Sequence, residues 1–115
     1  MSSINSLYDW LSGGRSRSYL KEKVVLITGA SSGIGRQLAV DFYKYGAKVI
    51  LAARRIDVLL NLKDELRSMN CNVYDPKILS LDLEKIDTIK DKAEEAVKMF
   101  GCVDILVNNA GMSVR

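Results

Sequence analysis

The sequence predicts an α/β fold in which helices flank a parallel β-sheet. From Lys21 onward, short apolar runs alternate with longer segments whose apolar residues recur at helical spacing, a pattern typical of βαβ units. No internal repeat or low-complexity segment interrupts the alternation. The composition, 48% hydrophobic and 27% charged over 115 residues, indicates one globular domain. We therefore expect a leader over residues 1–20 and an α/β domain over residues 21–115.

The first unit consists of a strand, a glycine-rich turn and a helix. Val24–Thr28 is a continuous run of apolar and β-branched residues, as expected for a strand buried on both faces. The helix that follows has an inward stripe made of Ile34, Leu38, Phe42 and Tyr45. Gly46 is placed to end that helix.

The second and third strands repeat this plan. Lys48–Ala53 predicts strand 2, and a helix over about 57–69, ended by Asn70, follows it. The inward residues of this helix are Val58, Leu59, Leu62 and Leu66. Strand 3 is expected over about 73–81, with Pro76 making its first part irregular and placing it at a sheet edge.

A third helix over about 84–100, ended by Gly101, precedes a fourth strand over 103–107. Its predicted apolar face comprises Ile86, Ile89, Ala93, Val97 and Phe100. Right-handed crossovers arrange the strands in the order 3-2-1-4, the amino-terminal half of a Rossmann-type doubly wound sheet, with strand 4 as an exposed apolar edge. Ligands of such sheets bind beyond the carboxyl ends of the strands, at the point where the order reverses.

The turn after strand 1 has the composition of a phosphate-binding loop. It reads Thr-Gly-Ala-Ser-Ser-Gly-Ile-Gly over residues 28–35 and leads directly into a helix. Gly29 permits the sharp exit from the strand, Gly33 lets a pyrophosphate approach the backbone, and Gly35 lets the helix pack closely. The N–H groups of the helix start, with the hydroxyls of Ser31 and Ser32, would bind the phosphates. Glycine spacing alone would also fit a plain turn, so the strand-turn-helix context decides for the loop.

Two motifs resemble those of a known family. Thr-Gly-x-x-x-Gly-x-Gly at residues 28–35 and Asn-Asn-Ala-Gly at residues 108–111 are similar to the signatures of single-domain short-chain dehydrogenases/reductases. The resemblance covers residues 21–115, and the segments around Pro76 and residues 101–104 most resemble the dehydrogenase/reductase member 7 group. It implies an oxidoreductase that transfers hydride between a nicotinamide and a carbonyl or alcohol substrate, of which this chain is an amino-terminal fragment.

The end of strand 2 favours NADP(H) over NAD(H). An acidic residue about 20 residues past the glycines would favour NAD, whereas this sequence has Arg54 and Arg55 there. A guanidinium can bind a 2′-phosphate through charge-assisted hydrogen bonds. Alternatively, the two arginines are solvated side chains near a helix start.

The resemblance also implies roles for residues after strands 3 and 4. Asp82 and Leu83 match the pair that contacts the adenine, although Asp82 could also cap the third helix. Asn109, Ala110 and Gly111 would lie against the ribose and nicotinamide, with Asn108 joining neighbouring strands. The predicted cofactor-binding set is therefore Gly29, Ser31, Ser32, Gly33, Ile34, Gly35, Arg54, Arg55, Asp82, Leu83, Asn109, Ala110 and Gly111.

No catalytic residue is expected within these 115 residues. In the family, a Ser, a Tyr and a Lys that lowers the pKa of the Tyr lie well after the Asn-Asn-Ala-Gly element, and the sequence ends at Arg115. Residues 19–23 do read Tyr-x-x-x-Lys, but they precede strand 1 and so fall at the wrong end of the sheet. The fragment alone is expected to be inactive. The alternative function is a non-catalytic truncated isoform that binds a dinucleotide or pairs with a partner.

The remaining features limit the possible partners and the cellular location of the protein. A net charge of +3 without clustering argues against nucleic-acid binding, and two cysteines without histidine argue against metal binding and favour free thiols in a reducing compartment. Residues 4–17 are either a flexible leader or a short amphipathic helix that contacts a membrane surface. We expect an intracellular protein, in the cytoplasm or at the cytosolic face of an organelle, that forms a homo-oligomer when full length.

Overall fold

Four parallel strands form one sheet in the order β3-β2-β1-β4. A computed structural model describes residues 19–31 and 33–109 of the chain. The strands are β1 (Val24–Thr28), β2 (Lys48–Ala53), β3 (Lys77–Ser80) and β4 (Ile105–Asn108). The helices are α1 (Gly33–Lys44), α2 (Ile56–Ser68) and α3 (Ile89–Phe100), the last preceded by a 3₁₀ turn (Ile86–Thr88). The predicted fold class and strand order are confirmed.

The central strand β1 sets the register of the sheet. Val25 pairs with Val49 of β2 and with Ile105 of β4. Because all pairings are parallel, the carboxyl ends of the strands meet at one edge. That edge is where the predicted site should lie.

One face of the sheet is covered by α1 and α2. Alternate side chains of β1 and β2 pack against these helices, which bury an apolar stripe comprising Leu38, Phe42, Leu59, Leu62 and Leu66. Leu20 is fully buried in the same core, so the packed unit includes the last residue of the predicted leader. Residues 1–18, with the predicted membrane-contacting segment, lie outside the described residues. Among the helices that the structure describes, none has the length and apolarity that a membrane crossing requires.

Three predicted element ends are set by the expected residues. Gly46 (φ 90°), Asn70 (φ 54°) and Gly101 (φ 93°) adopt left-handed conformations one or two residues after the ends of α1, α2 and α3. One predicted inward residue of α1 was wrong: Ile34 is 55% exposed, because it lies in the first turn beyond the ends of the strands. Tyr45 follows the helix and packs, half-buried, against the core, as predicted.

Strand 3 is shorter than the predicted 73–81. It contains only four residues, Lys77–Ser80, because Pro76 has no N–H for a ladder bond and the chain before it turns away from the sheet. Val73, in this segment before the strand, is 91% exposed. Strand 4 begins two residues later than predicted, and its Leu106 is 60% exposed at the sheet edge, as expected.

The predicted apolar face of the third helix was partly wrong. Ile86 is 78% exposed because it lies in the 3₁₀ turn, outside the register of the helix. The buried residue of α3 is Ala96, which packs with the half-buried Met99 and Phe100 against the second face of the sheet. Ile89 and Ala93 line the groove between α3 and this face of the sheet, as predicted, whereas Val97 is 44% exposed.

Asn72 holds the segment before β3 against the end of α1. Its amide nitrogen donates to the carbonyls of Tyr43 (2.9 Å) and Ala47 (2.8 Å), and its oxygen accepts from the N–H of Tyr74 (2.9 Å). One half-buried side chain thus satisfies three backbone groups of two segments 25 or more residues apart.

We expect Asn72→Ala to lower the free energy of unfolding by about 1–3 kcal/mol, because three partly buried backbone groups lose their partner. Chemical denaturation of the full-length protein checks this. Asn70→Ala is not a suitable control because of its positive φ, whereas Asn61→Ala on the exposed side of α2 is, and it should change the stability by less than about 0.5 kcal/mol. Equal effects of the two substitutions would contradict the structural role of Asn72.

Candidate functional site

The carboxyl edge of the sheet gathers the loops that follow all four strands. Thr28, the last residue of β1, is paired with Ala52 of β2 and with Asn108 of β4, and Ala53 is paired with Ser80 of β3. The glycine-rich turn, the arginine pair, the Asp82 loop and Asn109 therefore meet at one edge. The sequence predicted this convergence.

The turn after β1 presents the start of α1 to this edge. Gly29 (φ 64°) and Gly33 (φ 59°) both take left-handed conformations, which allow the chain to leave the strand sharply and begin the helix at Gly33. The first turn of α1 contains no acidic residue, so no carboxylate of the helix itself offsets the positive end of the helix dipole there. Ser31 is half-buried in the turn, and Ser32 lies outside the described residues.

The two later glycines have different steric surroundings. A Cβ at Gly35 would lie 2.2 Å from the carbonyl oxygen of Gly29 and 2.6 Å from Nδ2 of Asn109, so only glycine allows this approach. A Cβ at Gly33 would meet nothing within 4 Å. The backbone at Gly33 therefore borders open space, as a cradle for an anion requires, while Gly35 holds the helix against the turn.

Side chains at the end of β4 fasten the turn to the sheet. The hydroxyl of Thr28 donates to Oδ1 of Asn108 (3.0 Å), which joins β1 to β4 as predicted. Nδ2 of Asn109 donates to the carbonyl oxygen of Gly29 (3.1 Å). Sequence reasoning missed this second bond, because motif spacing gives no direction for a side chain. It couples the loop after β4 directly to the glycine-rich turn.

A cleft of about 210 Å³ opens between the ends of β1, β2 and β3. Its wall consists of Thr28, Gly29, Ala52, Ala53, Arg54, Leu81, Asp82, Leu83 and Glu84. The volume is below the roughly 300–1,000 Å³ of pockets that enclose a whole small-molecule ligand. The cleft therefore suits one part of a longer ligand, and its small apolar floor with one arginine suits a flat ring next to an anionic group.

The two arginines differ in their surroundings. Arg54 is exposed on the wall of the cleft and makes no ion pair with any residue that the structure describes. Arg55 is not part of that wall, and its guanidinium is paired with the carboxylate of Asp57 at 2.7 and 3.2 Å. The hydrogen bond from Arg55 holds the pKa of Asp57 below its ordinary value, and the same bond raises the pKa of Arg55.

Asp82 shapes the opposite wall of the cleft. Its Oδ1 accepts the N–H of Glu84 (3.0 Å), and its carbonyl accepts the N–H of Lys85 (3.0 Å), which makes a tight turn. It does not cap the third helix, because the 3₁₀ turn and α3 are preceded by Lys85 and Thr88. Leu83 is 42% exposed beside it. Glu84, which the sequence did not single out, also lines the cleft.

The other predicted residues of the cofactor-binding set are Ile34, Ala110 and Gly111. Ile34 is exposed at the start of α1, next to Gly33. Ala110 and Gly111 lie outside the described residues. Lys23, from the Tyr-x-x-x-Lys sequence before β1, lies at the amino end of the sheet with its Nζ 5.0 Å from the centre of the Tyr19 ring. It is therefore at the edge opposite to the site, as predicted.

Comparisons with known proteins agree with this geometry. A family model described as short chain dehydrogenase matches residues 23–115. The chain is 47% identical, over 88% of its length, to a dehydrogenase/reductase SDR family protein 7-like from Anopheles gambiae, and 40% identical, over 97%, to dehydrogenase/reductase SDR family member 7B from Xenopus tropicalis. These matches cover 32% and 37% of the two relatives.

A solved structure has the same arrangement of strands and helices. It is a short chain dehydrogenase/reductase from Burkholderia phymatum in complex with NAD, which matches with a TM-score of 0.67 and 30% identity. The match covers 76% of this chain and 30% of that one. The chain thus spans about one third of the length of the proteins it resembles.

We expect Gly35→Ala to lower the free energy of unfolding by about 1–3 kcal/mol and to loosen the turn, because the added methyl overlaps the carbonyl of Gly29. Amide hydrogen exchange of the full-length protein checks this, with faster exchange expected over residues 29–36. Gly101→Ala is the control: it adds strain at a positive φ but meets no neighbour within 4 Å, so exchange over residues 29–36 should not change. Unaltered exchange in Gly35→Ala would contradict the close approach.

Proposed function

The chain belongs to the short-chain dehydrogenase family, and we propose that the full-length protein is an NADP(H)-dependent oxidoreductase. It transfers hydride between the nicotinamide and a carbonyl or alcohol substrate. The observation that carries the proposal is the juxtaposition of two anion-binding features at one sheet edge. These are the open helix start at Gly33 and the cleft lined by Arg54.

The start of α1 would hold the pyrophosphate. The N–H groups and dipole of a helix start favour negative charge, and the missing Cβ at Gly33 leaves room for phosphate oxygens. Gly29 and Gly35 keep the turn in place, while Ser31 and Ser32 supply hydroxyl donors. The residues therefore fit the group in both shape and charge.

The cleft between β2 and β3 would hold the adenosine. Ala53 and Leu83 offer apolar surface to the adenine, and the carboxylate and backbone of the Asp82 turn offer polar contacts at its rim. Arg54 replaces the acidic residue that would bind a free 2′-hydroxyl and instead presents donors to a 2′-phosphate. The preference for NADP(H) follows from this replacement.

The loop after β4 would face the other half of the dinucleotide. Asn109, with Ala110 and Gly111, would lie along the ribose and nicotinamide, and the bond from Asn109 to Gly29 links this loop to the phosphate turn. When bound, the nicotinamide supplies or accepts the hydride. Because its side chain is bonded to Gly29, Asn109 would keep the two halves of the cofactor site at a fixed spacing.

The proton donor is proposed to lie in the part of the relatives' length that this chain does not span. The wall of the described cleft has one arginine and two acids, and neither a Tyr nor a Lys lines it. Substrate recognition is assigned to the same remaining part. The proposal thus divides the protein into a cofactor-binding part, which is this chain, and a catalytic part.

We expect Arg54→Ala to weaken NADPH binding by about ten- to hundredfold, since a hydrogen bond to a charged group contributes about 1.5–3 kcal/mol. NADH, which has no 2′-phosphate, should bind with unchanged affinity. Fluorescence titration of the full-length protein with each dinucleotide measures both constants.

Arg55→Ala is the matched comparison, because it removes the same charge from the adjacent residue. It should weaken NADPH binding less than Arg54→Ala does, since the Arg55 guanidinium is already paired with Asp57. If Arg54→Ala left the ratio of the two dissociation constants at its wild-type value, the assignment of the 2′-phosphate to Arg54 would be wrong.

A further inference from the structure

We propose that Asp57 limits the protein's preference for NADP(H) by holding Arg55 away from the 2′-phosphate. The inference rests on the proposed function and names a residue that sets the specificity of the same site. It concerns an acid that the sequence motifs do not include.

The contact is a two-point ion pair within one short segment. Nη2 of Arg55 lies 2.7 Å from Oδ2 of Asp57, and Nε lies 3.2 Å from Oδ1. The two side chains are 72% and 66% exposed, so no packing forces them together. The carboxylate therefore binds the guanidinium side-on, through one N–H on Nε and one on Nη2, and this contact fixes the direction in which the group points.

The position of the pair makes this competition relevant. Arg55 is the residue directly before α2, with an extended backbone (φ −102°, ψ 115°), and it follows Arg54 without a spacer. Arg54 lines the cleft, while Arg55 does not. Two adjacent arginines at the end of β2 thus have different surroundings, and Asp57 is the charged partner that distinguishes them.

The carboxylate of Asp57 stays ionised over the neutral pH range in which the dinucleotide would bind. Its pKa lies below the ordinary value because of the hydrogen bond from Arg55, so the carboxylate is ionised throughout the neutral range. Its charged partner is Arg55, while Arg54, Asp82 and Glu84 are the charged residues that line the cleft. The pair is therefore a constant feature of the site and not a pH-sensitive switch.

The experiment measures the ratio of the NADH to the NADPH dissociation constant in the full-length protein. Asp57→Asn keeps the size of the side chain but removes its charge, which releases Arg55. The ratio should rise about two- to fivefold, the factor that corresponds to an exposed ion pair. Asp64→Asn is the matched control, because it is the same substitution at an exposed position of α2 without an ion pair to any described residue. It should leave the ratio unchanged.

A double-mutant cycle distinguishes two explanations for such a rise. Asp57→Asn could act by releasing Arg55, or it could act directly, by removing a negative charge that repels the 2′-phosphate. In the Arg55→Ala background, Asp57→Asn should no longer raise the ratio. A rise of the same size in that background would overturn the proposal, because Asp57 would then act through its charge alone. A ratio that falls or stays constant in the single variant would overturn it too.

The two proposals fail in distinguishable ways. If Arg54→Ala abolishes the preference for NADPH while Asp57→Asn leaves it unchanged, the proposed function stands and the role of Asp57 is refuted. If Arg54→Ala has no effect, the assignment of the phosphate site itself is refuted. Far-ultraviolet circular dichroism and thermal unfolding of each variant confirm that the ratios come from folded protein.

Discussion

The close approach of α1 to the turn after β1 determines the geometry of the whole site. At Gly35 the helix comes so near that a single methyl group would lie 2.2 Å from the carbonyl oxygen of Gly29. This contact fixes where the helix begins, and the helix start is the source of the positive potential at the edge. The bond from Asn109 to the same carbonyl then fastens β4 to the turn. One backbone oxygen is therefore the meeting point of three segments of the site.

The loops at the carboxyl edge of the sheet are supported mainly by the core beneath α1 and α2. The core beneath α1 and α2 is closed by fully buried side chains such as Leu38, Phe42 and Leu59. On the second face, α3 buries only Ala96, and Val97 and Leu106 remain 44% and 60% exposed. The glycine-rich turn and the arginines lie on the elements of the first face. Their geometry is therefore supported by contacts within the described part of the chain, which spans about a third of its relatives.

The sequence was a good guide wherever one local rule decides the structure. Short apolar runs predicted β1 and β2 to the residue, and glycine or asparagine marked the ends of all three helices. It was a poor guide where tertiary contacts decide. Ile86 is exposed because it lies in the 3₁₀ turn before α3, outside the register of that helix, and the segment before β3 leaves the sheet to be bound by Asn72. Periodicity contains no information about either event.

The same distinction applies to the site. The glycine spacing and the arginine pair could be assigned to the carboxyl edge from the sequence, because their backbone positions follow from the topology. The different surroundings of Arg54 and Arg55 could not, because adjacent residues with identical side chains are separated only by their neighbours. The distinguishing neighbour is Asp57, two residues further along a chain that has just entered a helix. On the proposed assignment, specificity at this edge would depend on which guanidinium remains unpaired, so a count of basic residues in the motif would overstate the positive charge that a phosphate meets.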